Sequence, residues 1–162
     1  GTLKLIKKIN KIKHVIELDL FGPVYDKSYW NRCREIIKKS PENISINYKG
    51  VISYEELATI LVRYDFFILL TEGENFGHAI FESLSAGLPV ITSLNTPWKG
   101  LKNKKIGWDI NVNNNELEKT IDQISQMSKQ EYYIWSLNCI NHSENYLNDM
   151  NLKESYFKLL EL

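Results

Sequence analysis

The spacing of apolar residues changes period repeatedly along this chain, and each change marks an element. Over 2–13, Leu3, Leu5, Ile6, Ile9 and Ile12 recur among lysines at helical spacing. Over 15–21 apolar and polar residues alternate and stop at Gly22-Pro23, which predicts a strand and a turn. Residues 28–40 form a second helical pattern, with Tyr29, Cys33, Ile36 and Ile37 inward and Pro41 just beyond its end. Alternation returns over 44–48 and stops at Gly50. Ser53 and Glu56 have the spacing of a capping box ahead of Leu57, Ile60 and Leu61, so a third helix starts there.

Residues 64–70 are nearly all apolar, as in a strand covered on both faces. A helix near 76–86 and a strand at 89–92 follow, then a loop with Pro97, Trp98 and Gly100 and a weak strand around 105–109. Asn113 to Asn115 can cap a helix carrying Leu117, Ile121 and Ile124, and Ser128 with Glu131 predicts a second capping box opening a tyrosine-rich helical tail. Strands alternate with helices throughout. The expected fold is α/β, a Rossmann-like parallel sheet with helices on both faces, in one domain: a core over 1–127 and a helical tail over 128–162. Ligands of such sheets bind outside the carboxyl ends of the strands. Four turns fall there: Gly22-Pro23, Gly50-Val51, 71–77 and 93–100.

Composition narrows the partners. Twenty basic side chains balance twenty acidic ones, so no basic field draws in nucleic acid or acidic lipid. Lys7, Lys8, Lys11 and Lys13 read as the wet face of the first helix. Cys33 and Cys139 lie far apart with no metal-type spacing and are expected to pack as small hydrophobes. No signal peptide is visible, and the longest apolar run, 66–70, is too short to span a bilayer. These features suit a cytoplasmic, reduced setting.

The segment 71–93, TEGENFGHAIFESLSAGLPVITS, holds the candidate chemistry. Thr71 opens a turn in which Glu72 and Glu74 could complement a helix dipole, an effect of about 0.3–1 kcal/mol each. That effect does not call for Gly73 and Gly77 beside them. Glycines at a strand-to-helix turn let backbone N–H groups approach a phosphate. Glu82 has no capping reason to be in its helix. If 74 to 82 were helical throughout, the two acids would lie about 12 Å apart along the axis. Glycosidase carboxylate pairs lie about 5–9.5 Å apart, so the spacing fits one extended ligand held at two points.

Glu74-x7-Glu82 followed by Ala86-Gly87-Leu88-Pro89-Val90-Ile91 resembles the signature of retaining glycosyltransferases of the GT-B fold, family 4 in particular. The family form E-G-F-G-(x)4-E-A-(x)2-G-x-P-V-I stands here as Glu74-Asn75-Phe76-Gly77-His78-Ala79-Ile80-Phe81-Glu82-Ser83. The resemblance covers about 1–112, including Gly22-Pro23 and Tyr48-Lys49-Gly50-Val51, and Thr96-Pro97-Trp98 and Gly107-Trp108-Asp109 resemble a bacterial subset. It implies the C-terminal, nucleotide-sugar-binding domain of such an enzyme. Glu82 would bind ribose hydroxyls and Glu74 the hydroxyls of the donor sugar. Backbone N–H groups of Asn75, Phe76, Gly77 and His78 would meet the diphosphate, with Thr71 at the start of the turn. Gly50 and Val51 would lie along the base, and Gly22 would leave room near the phosphates. For His78, a place beside the phosphates is preferred to general acid or base work, because family members often carry an aliphatic residue there. Asp65 and Asp109 read as structural, and Trp98 either as packing or as an acceptor-side or domain-interface residue.

The resemblance further implies transfer of a sugar from a nucleoside diphosphate to an acceptor hydroxyl with retention, without a metal or other cofactor, in bacterial surface polysaccharide or glycolipid synthesis. The phosphate-binding Arg and Lys of the family and its acceptor-binding N-terminal domain are expected upstream of Gly1. The chain is therefore expected to be inactive alone, and any peripheral membrane association would come through that other domain. Two alternatives keep the fold or drop the chemistry: half of a sugar-nucleotide epimerase, or a non-enzymatic Rossmann-like interaction module. The five strands would be strands 2 to 6 of the family's sheet. With strand 1 absent, 15–21 and 64–70 are expected to close up and pair in one sheet ordered 44–48, 15–21, 64–70, 89–92, 105–109.

Overall fold

A computed structural model describes residues 1–149. Its elements are α1 (Thr2–Ile9), β1 (Ile16–Phe21), α2 (Lys27–Ile37), β2 (Ile44–Gly50), α3 (Tyr54–Leu61), β3 (Phe67–Leu69), α4 (His78–Ser85), β4 (Val90–Ser93), β5 (Gly107–Ile110), α5 (Glu116–Ser125) and α6 (Lys129–Asn148). The fold is α/β with parallel strands throughout, as the alternation predicts. The expected tail beyond Asp149 lies outside the described residues. No helix among the described residues is long and apolar enough to cross a membrane.

Local chemistry explains the ends of the helices. Asp26 caps α2 by accepting from the N–H groups of Ser28 and Tyr29 at 2.8 and 2.9 Å. The capping box of α3 is reciprocal: Glu56 N–H donates to Ser53 Oγ, and Ser53 N–H donates to the Glu56 carboxylate. Ser128 caps α6 through the Glu131 N–H at 3.1 Å. At α5 the cap comes from Asn114, whose Oδ1 accepts from Glu116 N–H. Gly87, at φ 80°, ends α4: its N–H donates to Leu84 and that of Leu88 to Ser83, the paired bonds of a Schellman motif. Cys33 and Cys139 are both buried, unpaired thiols.

The expected single sheet does not form. β1 pairs with β2 in one sheet, and β3, β4 and β5 form a second in that order. β1 and β3 share no ladder, so the direct pairing expected of 15–21 and 64–70 is wrong. The two sheets are joined instead through a shared core. Leu5 and Ile9 of α1 and Ile12 just beyond it lie in one core with Leu18 and Ile44 of the first sheet, Ile91 of the second and Leu70 at the end of β3. A groove of about 660 Å³ separates them, lined by Ile16 and Leu18 on one side and by Phe66 and Ile68 on the other. Burial follows pairing. β4, flanked on both sides, is buried along its whole length, whereas all three residues of β3 are only half-buried.

Side chains bridge the gap that the backbone leaves. The Asp19 side chain, 7% exposed, accepts from Tyr64 Oη at 2.7 Å and Asn47 Nδ2 at 3.0 Å, with Lys49 Nζ at 3.5 Å. Phe21 meets the Tyr64 ring edge-on at 6.0 Å between centroids. Burial alone would raise the Asp19 pKa, but the hydrogen bonds from Tyr64 and Asn47 and the Lys49 charge outweigh it and hold it below the usual carboxylate range. Burial and the Asp19 carboxylate push the Tyr64 phenol up to about 12.

A carboxylate whose pKa is lowered by folding stabilises fully above its ordinary value and loses that contribution as pH falls through the folded value. The chain is therefore expected to lose stability below about pH 4, the region where unfolded aspartates titrate. Asp19→Asn should flatten this acid limb in urea unfolding followed from pH 7 to pH 3. Tyr64→Phe should cost about 1.5–3 kcal/mol at pH 7, the range for hydrogen bonds to charged groups. An unchanged urea midpoint for Tyr64→Phe would show that this bridge does not hold the sheets together.

Candidate functional site

The turn between β3 and α4 is fastened to β4. Ser93 Oγ donates to the Thr71 carbonyl at 2.6 Å and accepts from the Thr71 N–H at 3.2 Å. Thr71 Oγ1 in turn donates to the Gly73 carbonyl and accepts from its N–H, which closes the first half of the loop. Trp98 fixes the second half: its Nε1–H donates to the Phe76 carbonyl at 2.6 Å. Phe76, Phe81, Trp98 and Tyr146 pack ring to ring behind the turn, joining the start of α4 to the 98 loop and to α6. Trp98 is only 8% exposed. Of the two readings of this residue, the structure supplies the packing one.

Gly77 is the N-cap of α4, at φ 82° and ψ 57°. An added Cβ would lie 2.9 Å from Ile80 Cδ1 and 3.2 Å from Trp98 Nε1, so neither the backbone conformation nor the space admits a side chain. No side chain caps the helix. The Gly77 carbonyl serves the N–H groups of Ile80 and Phe81, and those of His78 and Ala79, at the very start of α4, have no partner among the described residues. A helix end with two unspent donors and a favourable dipole is suited to an anion.

The acids take different places. Glu74 is exposed and accepts from the Asn75 N–H at 3.1 Å. Glu72 is also exposed, and its carboxylate has no bonding partner among the described residues. Glu82 is half-buried within α4, between the buried Ile80 and the buried Ser83 and Leu84, and its carboxylate likewise has no partner among the described residues. Because α4 starts at His78, Glu74 lies in the turn before it. The separation reasoned from a helix running through both acids does not apply. His78 is exposed, with its ring 4.8 Å from that of Phe76 and no hydrogen bond to it among the described residues.

Gly22 and Gly50 form a second group at the carboxyl ends of β1 and β2. Gly22 N–H donates to the Gly50 carbonyl at 2.9 Å, and Tyr48 Oη donates to the Gly22 carbonyl at 2.7 Å. Tyr48 also packs on Trp30 at 4.7 Å between centroids. A Cβ at either glycine would meet nothing within 4 Å, so open space lies beside both. Val51 is 68% exposed next to them. Thr71, Glu74, Asn75, Phe76, Gly77, His78 and Glu82 thus cluster on one turn and helix, with Gly22, Gly50 and Val51 on the edge of the other sheet. No bond among the described residues joins the two groups. Sequence reasoning missed Ser93, whose only signal was a hydroxyl beside that of Thr92 at the end of a short strand. It read Asp109 correctly as structural, since its carboxylate accepts from the N–H groups of Gly100 and Leu101.

Comparison with known proteins follows the same lines. A family profile described as "Glycosyl transferases group 1" matches residues 1–134. Among solved structures, Alr3699/HepE of Anabaena in complex with UDP-glucose superposes with a TM-score of 0.78 at 16% identity, over 99% of this chain and 45% of that one. Sucrose-phosphate synthase of Thermosynechococcus elongatus gives 0.72 at 17%, over 99% and 42%. The catalytic domain of cholesterol-alpha-glucosyltransferase from Helicobacter pylori gives 0.67 at 18%, over 88% of each chain. The chain spans under half the length of the first two of these. No curated protein sequence matches it. These structural likenesses establish the fold, and with a profile running from Gly1 through the candidate site to residue 134, the chain belongs to the glycosyl transferases group 1 family.

Proposed function

We propose that this chain is the donor-binding part of a retaining glycosyltransferase of family 4, one that moves a sugar from a nucleoside diphosphate to an acceptor hydroxyl. The observation that carries the reading is Glu82, a partly buried residue whose carboxylate has no partner among the described residues, in the same short helix whose start keeps unspent N–H donors. An accessible carboxylate with unused lone pairs accepts readily from hydroxyls, so a ligand that supplies hydroxyls gives the residue its purpose. In the proposed pose the diphosphate meets the N–H groups at the start of α4, and Glu82 accepts from the ribose hydroxyls. Glu74, exposed in the turn, accepts from hydroxyls of the transferred sugar. The base lies over Gly50 and Val51, and Gly22 leaves room for the phosphates.

In this reading the helix start stabilises negative charge on the departing diphosphate, an interaction that strengthens as the glycosidic bond breaks. No metal is assigned a role, and His78 stands beside the phosphates rather than taking a proton. Solved neighbours hold UDP-glucose, or UDP and glucose, in the same fold, which supports a nucleotide sugar as the partner. The proposed setting is cytoplasmic, in bacterial surface polysaccharide or glycolipid synthesis, with acceptor binding by a separate domain.

Two mutants separate the roles in the complete enzyme. Glu82→Ala is expected to weaken a bare nucleoside diphosphate and its sugar conjugate alike, by about 1.5–3 kcal/mol. Glu74→Ala should spare the nucleoside diphosphate and weaken only the conjugate. Calorimetric titration of both variants with both ligands checks this, and equal losses at Glu74 would remove its sugar-binding role.

The turn gives a second test, on stability. Gly77→Ala, forced to adopt a positive φ against Ile80 and Trp98, is expected to cost roughly 1–3 kcal/mol in urea unfolding. Gly73→Ala, which would meet nothing within 4 Å, should stay within about 0.5 kcal/mol of the parent. Equal effects at the two glycines would mean that the turn is not held as described.

A further inference from the structure

Trp98 bonds to the turn in front of α4 at a single backbone atom. Its Nε1–H donates to the Phe76 carbonyl at 2.6 Å, a short bond for an N–H donor. Gly77 leaves room for this contact, since a Cβ there would lie 3.2 Å from Nε1. The indole itself is buried. The rings of Phe76, Phe81, His142 and Tyr146 pack against it, with centroids 6.0, 6.3, 6.2 and 5.8 Å away. The loop that carries it is tied to β5, where the Asp109 carboxylate accepts from the N–H groups of Gly100 and Leu101 at 3.2 and 3.0 Å.

Holding one side of a peptide sets the other. The bond between Phe76 and Gly77 is trans and planar, so its carbonyl and its N–H point in opposite directions. With the Phe76 carbonyl held toward the indole, the Gly77 N–H faces away from the aromatic cluster, and it has no partner among the described residues. It joins the N–H groups of His78 and Ala79 as a third unspent donor. Gly77 is left-handed, at φ 82° and ψ 57°, and His78 opens the right-handed helix. A left-handed residue next to a right-handed one gathers successive N–H groups on one concave side, a form that binds anions.

We propose that Trp98 is a positioning residue for donor binding: by holding the Phe76 carbonyl it aims the Gly77 N–H at the diphosphate, so that three successive backbone donors meet the anion. The proposal rests on the donor-binding reading of this turn and adds to it a residue that does not touch the ligand. An apolar side chain at 98 could support the turn by packing, but only a hydrogen-bond donor there fixes the rotation of the peptide. A peptide turned the other way would present its carbonyl oxygen to the phosphates, and the two negative groups would repel.

Calorimetry and NMR on the complete enzyme test it, with UDP and GDP as probes and uridine and guanosine as controls that lack the phosphates. Trp98→Phe keeps an aromatic ring and removes the donor. It is expected to weaken binding of the diphosphate that the parent takes about 10-fold, and binding of the matching nucleoside less than about twofold. Equal losses for the two, or none for either, would overturn the role while the donor reading stands, because the parent still binds. A parent that binds neither diphosphate would overturn both. NMR of the parent needs no variant, so it decides even where Trp98→Phe fails to fold. With glycine, histidine and alanine isotope-labelled, the diphosphate should move the Gly77, His78 and Ala79 amide signals downfield together, and the nucleoside should leave them in place. Movement at His78 and Ala79 without Gly77 would overturn the proposal, because the peptide would then not face the phosphates. A bound diphosphate that moves none of the three would overturn it together with the proposed pose.

Discussion

One apolar core, shared by the amino-terminal segment and both sheets, holds the two halves of this structure together. No backbone ladder joins β1 to β3, so the first sheet is attached to the second through side chains alone. Leu5, Ile9 and Ile12 are part of that link, each 6% exposed or less and each in the core that takes residues from both sheets. Fully burying such a side chain contributes about 1.5–3 kcal/mol. The Asp19–Tyr64 bond adds a directional link across the same gap. Apolar packing tolerates small shifts, whereas a charged hydrogen bond at 2.7 Å does not, so the polar link fixes the relative position that the apolar core only favours.

The candidate site draws its rigidity from the other side of the molecule. Its turn follows β3, the least supported of the inner strands, yet its bonds run to β4 through Ser93 and to the 98 loop through Trp98. α6 backs that arrangement by packing on α4. Gly87 makes the approach feasible, because a Cβ there would lie 2.7 Å from Ser136 Oγ. α6 thus supports the site through its contacts with α4 and the 98 loop.

Much of this was legible in the sequence because it is local. The Ser53–Glu56 box, the Gly87 stop and the turn signals at Gly22 and Gly50 each depend on a few adjacent residues, and each appears where the pattern places it. The cluster on 71–82 was legible for the same reason: one turn and one helix carry it. The broken sheet was not. Alternation reports which face of a strand is buried and says nothing about which edge is paired, so the pairing of 15–21 with 64–70 rested on the family's strand order alone. The uniform apolarity of 64–70 suggested a fully covered strand, while Phe67, Ile68 and Leu69 are in fact half-buried beside the groove. Ser93 and Trp98 were hidden by distance along the chain, because their partners, Thr71 and Phe76, lie 22 residues away in each case.

Anchoring the turn to β4 has a consequence for how the sheet and the site relate. β4 is paired on both sides and buried from Val90 to Ser93, so it is the element least affected by what fills the groove at β3. A turn hung from β3 alone would inherit that strand's half-open edge and fluctuate with it. Hung from Ser93, it takes the stability of the most protected strand in the molecule. The two features of β3, an unpaired edge along its length and a candidate site at its end, are therefore largely uncoupled. Gly22 and Gly50 have no such support. They lie at the ends of β1 and β2, in the sheet that only α1 and side chains hold in place. A ligand that touched both groups would bridge the two sheets, and its affinity would depend on how firmly the first is held against the second. The part of the site on 71–82 can form by itself, while the part on Gly22, Gly50 and Val51 is positioned only as well as the gap between the sheets is closed.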